Sequence, residues 1–447
     1  MAMGKWLCTT CRTRLMLGAS TLLWALVGHA DQEAADKAVN AGDTAWILIS
    51  AALVLLMTPA LAFFYAGMVR AKNVLNTLLL SFGAAAIIGV AWILIGYSLA
   101  FGKGNPFIGD ASYALLDGVT LDAGPIATTV PHQAFMIYQA MFAIITPALI
   151  SGAIVERMKF TTFIVFMLFW SLLVYAPVAH WFWGGGWLAE MKALDFAGGA
   201  VVHITAGFSA LVAALVVGPR RGYQIQPLRP HNLPFTLLGA GLLWFGWFGF
   251  NAGSALASGR LATAAFVNTN TAGATAMLVW MLLDQITRKE MTALGAATGA
   301  IAGLAGITPS AGFVSPLSAV AIGAIISCVC YVSANWRAKS PLDDSLDAFA
   351  VHGVGGFCGT LLTGVFVTAS LQNINPAAKA GLFEGDISAF TTQLIACVIT
   401  AVYAMAITFI LLKILQATMG LRVSADEEDR GLDMHSHGEE AYAEAGA

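Results

Sequence analysis

Ala200-Val-Val-His-Ile-Thr-Ala-Gly-Phe208 and Ala348-Phe-Ala-Val-His-Gly-Val-Gly-Gly356 each set one histidine, His203 and His352, in a run that is otherwise apolar. Both runs are long enough to be membrane-buried helix. An imidazole in hydrocarbon must face a partner or a polar cavity, because its ring nitrogens otherwise go unsatisfied. The surroundings also match: Asp195 stands eight residues before His203, and Asp347 five before His352. Two matched half-sites predict an internal repeat whose histidines meet at one central place, and hence a conduction pathway.

Composition sets the solvent. The chain has 447 residues, 58% hydrophobic and 11% charged, with a mean hydropathy of +0.77. A soluble domain carries about 25% charged residues, so this chain cannot cover itself with polar surface and is expected in a lipid bilayer. Six cysteines are too few for a disulfide scaffold. Cys328, Cys330, Cys358 and Cys397 fall in apolar runs and read as small buried hydrophobes. The net charge of -3 comes with no basic patch, so nothing points to nucleic acid.

Residues 1–30 read as a cleaved secretory signal. Lys5, Arg12 and Arg14 make a basic start, residues 15–27 are apolar but short for a span, and Gly28 and Ala30 supply small residues before a cut. The Cys8/Cys11 pair leaves with this segment. Residues 31–418 form the transmembrane domain, and 419–447 a polar, acidic tail.

Within the domain, apolar runs of bilayer-spanning length recur. They predict an all-α polytopic membrane protein of about eleven transmembrane helices, near residues 46–69, 75–101, 134–155, 160–183, 198–217, 235–250, 262–283, 294–308, 316–334, 348–368 and 390–415. The eighth is short and rich in Gly and Ala, so it should pack closely. One set of alternating loops holds Arg70, Lys72, Arg157, Lys159, Arg220, Arg221, Arg229, Arg288, Lys289, Arg337 and Lys339; the other holds only Lys103, Lys192, Arg260 and Lys379. The basic set is expected in the cytoplasm, which puts the mature N-terminus outside and the C-terminus inside. Phe63-Phe-Tyr-Ala-Gly67 in the first helix rhymes with Phe248-Gly-Phe-Asn-Ala-Gly253 in the sixth. Five helices per half force opposite orientations, an inverted 5+5 repeat plus a final helix.

Three groups of residues carry chemistry. A buried histidine pair is expected to be neutral or to share one proton, offering a donor and an acceptor to a passing solute; the plain alternative is a satisfied core pair. No Cys, Asp or Glu stands beside either histidine at metal-ligand spacing, so no metal and no cofactor is read. Trp181-Phe-Trp183 ahead of Gly184-Gly-Gly186, and Trp244 to Phe250 ahead of Ser254, are either an interface girdle or a cation–π vestibule with a hydroxyl acceptor. Asp195 is either a plain N-cap or also a source of negative potential near an outer site. Glu156, Arg157, Asp343 and Asp344 read as helix-end and loop charges. The tail, with His435 and His437, reads either as a disordered solvating segment or as a docking element.

In order along the chain stand Gln139-Ala-Met-Phe-Ala-Ile-Ile-Thr146, Gly152-Ala-Ile-Val-Glu-Arg157, Trp183-Gly-Gly-Gly186, Leu194-Asp-Phe-Ala-Gly-Gly199, Val202-His203, Pro230-His-Asn-Leu-Pro234, Trp247-Phe-Gly-Phe-Asn-Ala-Gly-Ser254, Gly299-Ala-Ile-Ala-Gly303, Val351-His-Gly353 and Gly431-Leu-Asp433. Together they resemble a bacterial member of the Amt/MEP/Rh ammonium transporter family over essentially the whole mature chain. The resemblance implies ammonium transport rather than enzyme chemistry. It implies an outer recruitment site at Trp183 and Ser254, with Phe142 at its floor and Tyr138 lining the same vestibule. It implies a gate of stacked Phe142 and Phe250, and twin histidines, His203 and His352, in a hydrophobic lumen. Trp247 is implied as a lumen aromatic and Asp195 as a structural acid. It further implies homotrimers in the bacterial inner membrane and a PII-class signal protein meeting the tail.

Rivals remain at this point. A sensor on the same fold would report ammonium with little flux; such proteins often carry an added cytoplasmic signalling domain, for which a tail reaching Ala447 is expected to be too short. A urea-type channel explains an apolar pore but not a cation-suited aromatic entrance. An enzyme would need a nucleophile, metal set or cofactor motif beside the histidines.

Overall fold

The computed structural model describes residues 39–442. The expected signal segment, with Cys8 and Cys11, lies outside the described residues. Eleven long helical segments follow one another where the apolar runs predict them. They are α1 Ala41–Met68, α2 Ala71–Phe101, α3 His132–Ala153, α4 Phe160–Glu190, α5 Gly199–Val217, α6 Leu233–Gly253, α7 Arg260–Arg288, α8 Ala293–Ile307, α9 Pro316–Lys339, α10 Phe349–Phe366 and α11 Ile387–Thr418. α4 is broken at residues 184–186. Among the described residues nine helices are long and apolar enough to cross a membrane. α7 is long enough but carries Asn268, Thr269, Asn270, Thr271 and Asp284; α8 is apolar but has only 15 residues. Two short helices, α12 Ala425–Arg430 and α13 Leu432–His437, complete the described chain.

The bundle has an apolar core and, unlike a soluble protein, an apolar outer surface as well. Leu48, Phe82, Leu215, Phe245, Leu278, Val332 and Ile410 are exposed on the outer helix faces, as lipid contact requires. Of the cysteines, Cys330 and Cys397 are buried as expected. Cys358 is half-buried, and Cys328 is exposed on α9 instead, because it falls on the outward face of that helix.

Close helix approach comes from small residues. α6 meets α1 along Gly239, Gly246, Gly249 and Gly253: a Cβ at Gly249 would lie 2.9 Å from the Ser50 carbonyl oxygen, and one at Gly246 would lie 2.7 Å from that of Leu53. Lipid tails are as apolar as leucine, so contact at this range replaces hydrophobic burial as the adhesive. α5 and α10 cross at Gly207 and Gly353, where a Cβ on Gly207 would run into the Gly353 backbone. α8 is buried along nearly its whole length, with Gly299 against the Trp280 side chain. The helix the sequence marks as closely packed is so.

At the end of α3 that leads to Arg157, the loops are tied by ions. The Glu156 carboxylate accepts from the Arg70 backbone N–H at 2.7 Å and from Asn73 Nδ2 at 3.0 Å, and pairs with Arg220 at 3.2 Å. Arg220 pairs in turn with Asp343 at 2.9 Å. Burial, the largest single influence, would raise both acids; Arg220, Arg70 at Glu156, Arg157 at Asp343 and the hydrogen bonds they make together outweigh it and hold both carboxyls below their usual range. Arg157 is fully buried and donates to the carbonyls of Ala153, Val155, Gly218 and Asp343 and to the Ser345 hydroxyl.

The tail is packed here, not a loose solvating segment. Lys159 N–H donates to Leu421 O at 2.9 Å, and Val423 N–H to Arg157 O at 3.1 Å. Glu428, buried, accepts from the Arg221 backbone N–H at 2.7 Å and from Arg422 at 2.7 Å. Asp433, buried, accepts from Leu75 and Asn76 N–H at 3.0 and 2.8 Å, capping the first turns of α2. Leu421, Val423 and Leu432 are buried beneath these polar ties.

Candidate functional site

The two histidines of the opening stretches meet. His203 Nδ1 and His352 Nδ1 lie 3.2 Å apart, with ring planes 16° from parallel. Two nitrogens at that distance hold one proton between them, so one ring donates and the other accepts. Each ring then turns its Nε2 outward, one as a donor and one as an acceptor. His203 Nε2 is buried and has no hydrogen-bond partner among the described residues. The His203 ring is stacked within 5.6 Å of Trp247 and 6.0 Å of Phe250.

Both histidines ride on π-helical turns, Gly199–Ile204 and Phe349–Val354, each at the start of its helix. A π turn widens the helix and leaves backbone groups out of register, a feature common at functional sites. Each turn is capped by an aspartate. Asp195 accepts from the N–H groups of Gly198, Gly199, Ala200 and Val201 at 2.7 to 3.0 Å. In the second half the cap is Asp344, which accepts from Ala348 and Phe349 at 3.0 and 2.8 Å. Asp347, the residue the sequence suggests as the partner of Asp195, is not the counterpart. Its backbone has a φ of 60°, and its carboxylate turns to Arg337 at 2.7 Å. Asp344 stands eight residues before His352, the spacing of Asp195 to His203.

Next to the histidines, Met57, Leu61, Phe64, Ile145, Leu149, Val202, Leu243 and Ile301 line a narrow apolar cavity of about 10 Å³. That is the space of about one water-sized molecule. Trp247 closes one wall, its indole N–H donating to Thr308 Oγ1 at 2.9 Å. Phe250 lines this cavity and Phe142 lines a larger one, and the two rings pack with centroids 4.4 Å apart.

The larger cavity, about 130 Å³, is lined by Ile126, Phe135, Gln139, Phe142, Trp183, Phe196, Ser254 and Leu256. Trp183 stands edge-on to Phe142 at 6.0 Å and is held by donating its N–H to the Asp195 carbonyl at 2.9 Å. Tyr138 does not line it. Tyr138 packs behind Phe142, its hydroxyl 3.0 Å from the carbonyl oxygens of Gly249 and Phe250 and 3.2 Å from Ser254 Oγ. Asp195 acts through the α5 cap and Trp183; burial pushes its carboxyl up, and the four amides oppose that. Aromatic faces with one or two oxygens suit a small cation shedding water; the apolar cavity beyond suits only a neutral solute.

Sequence reasoning missed Ile126, Phe135, Gln139, Phe196 and Leu256 as lining residues, and Asp344 as a cap. Phe135 and Gln139 were signalled by spacing, since 135, 139 and 142 share one face of α3. Ile126, Phe196 and Leu256 lie in connections and carry no such signal.

A sequence model described as Ammonium Transporter Family matches residues 45–442. The chain is similar to the ammonium transporter of Bacillus subtilis (strain 168), 48% identical over 405 residues, covering 90% of this chain and 99% of that one. Its structure is similar to that of Mep2 from Candida albicans, with a TM-score of 0.83, 35% identity and 88% of each chain covered. It is also similar to a solved structure described as a sensor Amt protein, with a TM-score of 0.82, 30% identity, 89% of this chain and 98% of that one. With a family match over almost the whole described chain and a relative at this identity, this multi-pass membrane protein belongs to the Ammonium Transporter Family.

Proposed function

We propose that the chain carries ammonium across a membrane by stripping the ion of water and one proton, then passing ammonia. The observation that carries this reading is the order of the two cavities: aromatic and oxygen-bearing first, apolar and histidine-lined beyond, with the Phe142–Phe250 pair between them. Trp183, Phe142 and Ser254 recruit the cation, with Tyr138 orienting Ser254. Phe142 and Phe250 gate. His203 and His352 line the path of ammonia and conduct the proton separately; Trp247 walls the lumen, and Asp195 holds Trp183 and α5. Taking an intact small ion into this lumen carries a desolvation penalty of several kcal/mol or more, which deprotonation removes. Potassium has no proton to give up and is excluded on the same ground.

On the loop-charge argument the Trp183 cavity faces outward and the tail is cytoplasmic, in an inner membrane, with the 5+5 halves inverted. The chain acts as a homotrimer, and the tail from Leu421 to Tyr442 docks a PII-class signal protein, since matched symmetry repeats each contact. Membranes with the intact chain are expected to retain a PII-class protein that a chain ending at Gly420 does not; undiminished retention by the truncated chain would rule the tail out as the docking element.

The likeness to a sensor Amt protein supports a second reading, an ammonium sensor with little flux. Currents from reconstituted proteoliposomes separate the two. Saturable current on ammonium and methylammonium pulses supports transport; binding without current supports the sensor.

A further inference from the structure

We propose that Gln139 is a ligand of the outer cation site, its amide oxygen accepting a hydrogen bond from the ammonium ion alongside Ser254. This rests on the reading of the 130 Å³ cavity as a cation site. Of its eight lining residues, Trp183 has an N–H already committed to Asp195 O, and five others are purely apolar. That leaves Gln139 and Ser254 as the lining residues with a side-chain oxygen; the Gln139 oxygen is itself buried and meets an ion in the cavity by a turn of its terminal amide.

The two oxygens are not equivalent. Ser254 Oγ donates to Phe250 O at 2.9 Å and lies 3.2 Å from the Tyr138 hydroxyl, so part of its capacity is spent. Gln139 is 7% exposed, and its Oε1 is buried without a hydrogen-bond partner among the described residues. A buried amide oxygen left unpaired is unfavourable, and native structures rarely keep one without a reason. Both its lone pairs are free, whereas a hydroxyl held by neighbours has fewer to offer. Gln139 also precedes Phe142 by about one turn of α3, so it stands on the cavity side of the gate. A cation that sheds water against Trp183 and Phe142 must replace those water oxygens, and Gln139 is the stronger replacement.

The test is ammonium flux against concentration in proteoliposomes of the full chain, for wild type, Gln139→Met, Gln139→Leu and Gln139→Glu. Methionine keeps the length and removes the oxygen; leucine is the second choice where the methionine variant folds in low yield. Glutamate presents an oxygen in either orientation. Loss of one hydrogen bond to a charged ligand should raise KM about tenfold in Gln139→Met with kcat little changed, and Gln139→Glu should restore KM to the wild-type value or below. An unchanged KM in Gln139→Met, or an equal KM rise in the methionine and glutamate variants, overturns the assignment while wild-type flux leaves the transport reading intact. Absence of ammonium flux from wild type overturns the transport reading, and absence of ammonium binding to wild type overturns both.

Discussion

The two halves cap their histidines with the same device and hold it differently. In the first, Asp195 gathers four backbone N–H groups and its own carbonyl anchors Trp183. In the second, Asp344 gathers two, and its carboxyl is pushed up to about 6 by burial and by Asp347, against the pull of Arg337. Charges follow the same division. No charged side chain lines the cavity at Trp183, whereas Arg220, Arg337 and Asp347 line one below Asp344. A mouth built from neutral dipoles and aromatic faces can attract a bare cation without a fixed positive charge to repel it. The cavity at Arg220, Arg337 and Asp347 is built from charged groups, which suit a surface that meets loops and tail.

The largest effect should separate the two caps. Asp195→Ala leaves four buried amides unpaired; at about 1 kcal/mol or more each, the loss is roughly 4 kcal/mol or greater. Asp344→Ala should cost about half as much on the same count. Thermal unfolding in detergent measures both, and equal losses would break the asymmetry.

Next comes the crossing of α5 and α10. A Cβ on Gly356 would lie 2.6 Å from the His203 Cβ, whereas one on Gly355 would meet Cys330 Sγ at 3.2 Å. Gly356→Ala is therefore expected to cost about 1–3 kcal/mol and to lower flux by shifting His203. Gly355→Ala should be mild in both assays. The reverse order would show that the histidine helices tolerate displacement.

The smallest effects come from pH. Glu156 and Asp343 have lowered folded values, so their contribution is present above the ordinary carboxylate range and lost as pH falls through the folded values. Asp344 has the opposite sign. Its stabilising contribution is present at acid pH and lost as pH rises from about 4 to about 6. A profile of unfolding temperature against pH should show both limbs, and Asp344→Asn should shrink the second without touching the first, the raised carboxyls of Asp195 and Asp347 supplying the remainder. A second limb of undiminished size would show that Asp344 does not titrate there.

Much of this was legible in the residues. The helices follow from runs of apolar length, and the meeting of His203 and His352 from two polar residues in matched apolar surroundings. Periodicity could not show the π turns, which are a matter of backbone register rather than side-chain order. Asp344 was obscured by Asp347 because the positive φ at 347, which turns that carboxylate to Arg337, has no sequence signature in an aspartate. From sequence a solvated segment is one of two readings of the tail, because Leu421, Val423 and Leu432 are isolated among charges; they are buried because the loops beneath supply Arg157, Lys159, Arg221 and Asn73 as partners. Gln139 passed as one polar residue in an apolar helix until the cavity placed it beside Ser254.

The central claim is that the histidine pair separates ammonia from its proton and so excludes potassium. Its most direct test is current through proteoliposomes holding wild type, His203→Ala or His352→Ala, pulsed with ammonium and then with potassium. Wild type should carry ammonium current that potassium does not replace. Each variant should fold, as judged by its yield and unfolding temperature, and either lose ammonium current or begin to admit potassium. Equal potassium and ammonium currents in wild type, or wild-type flux and selectivity in both variants, would contradict the account.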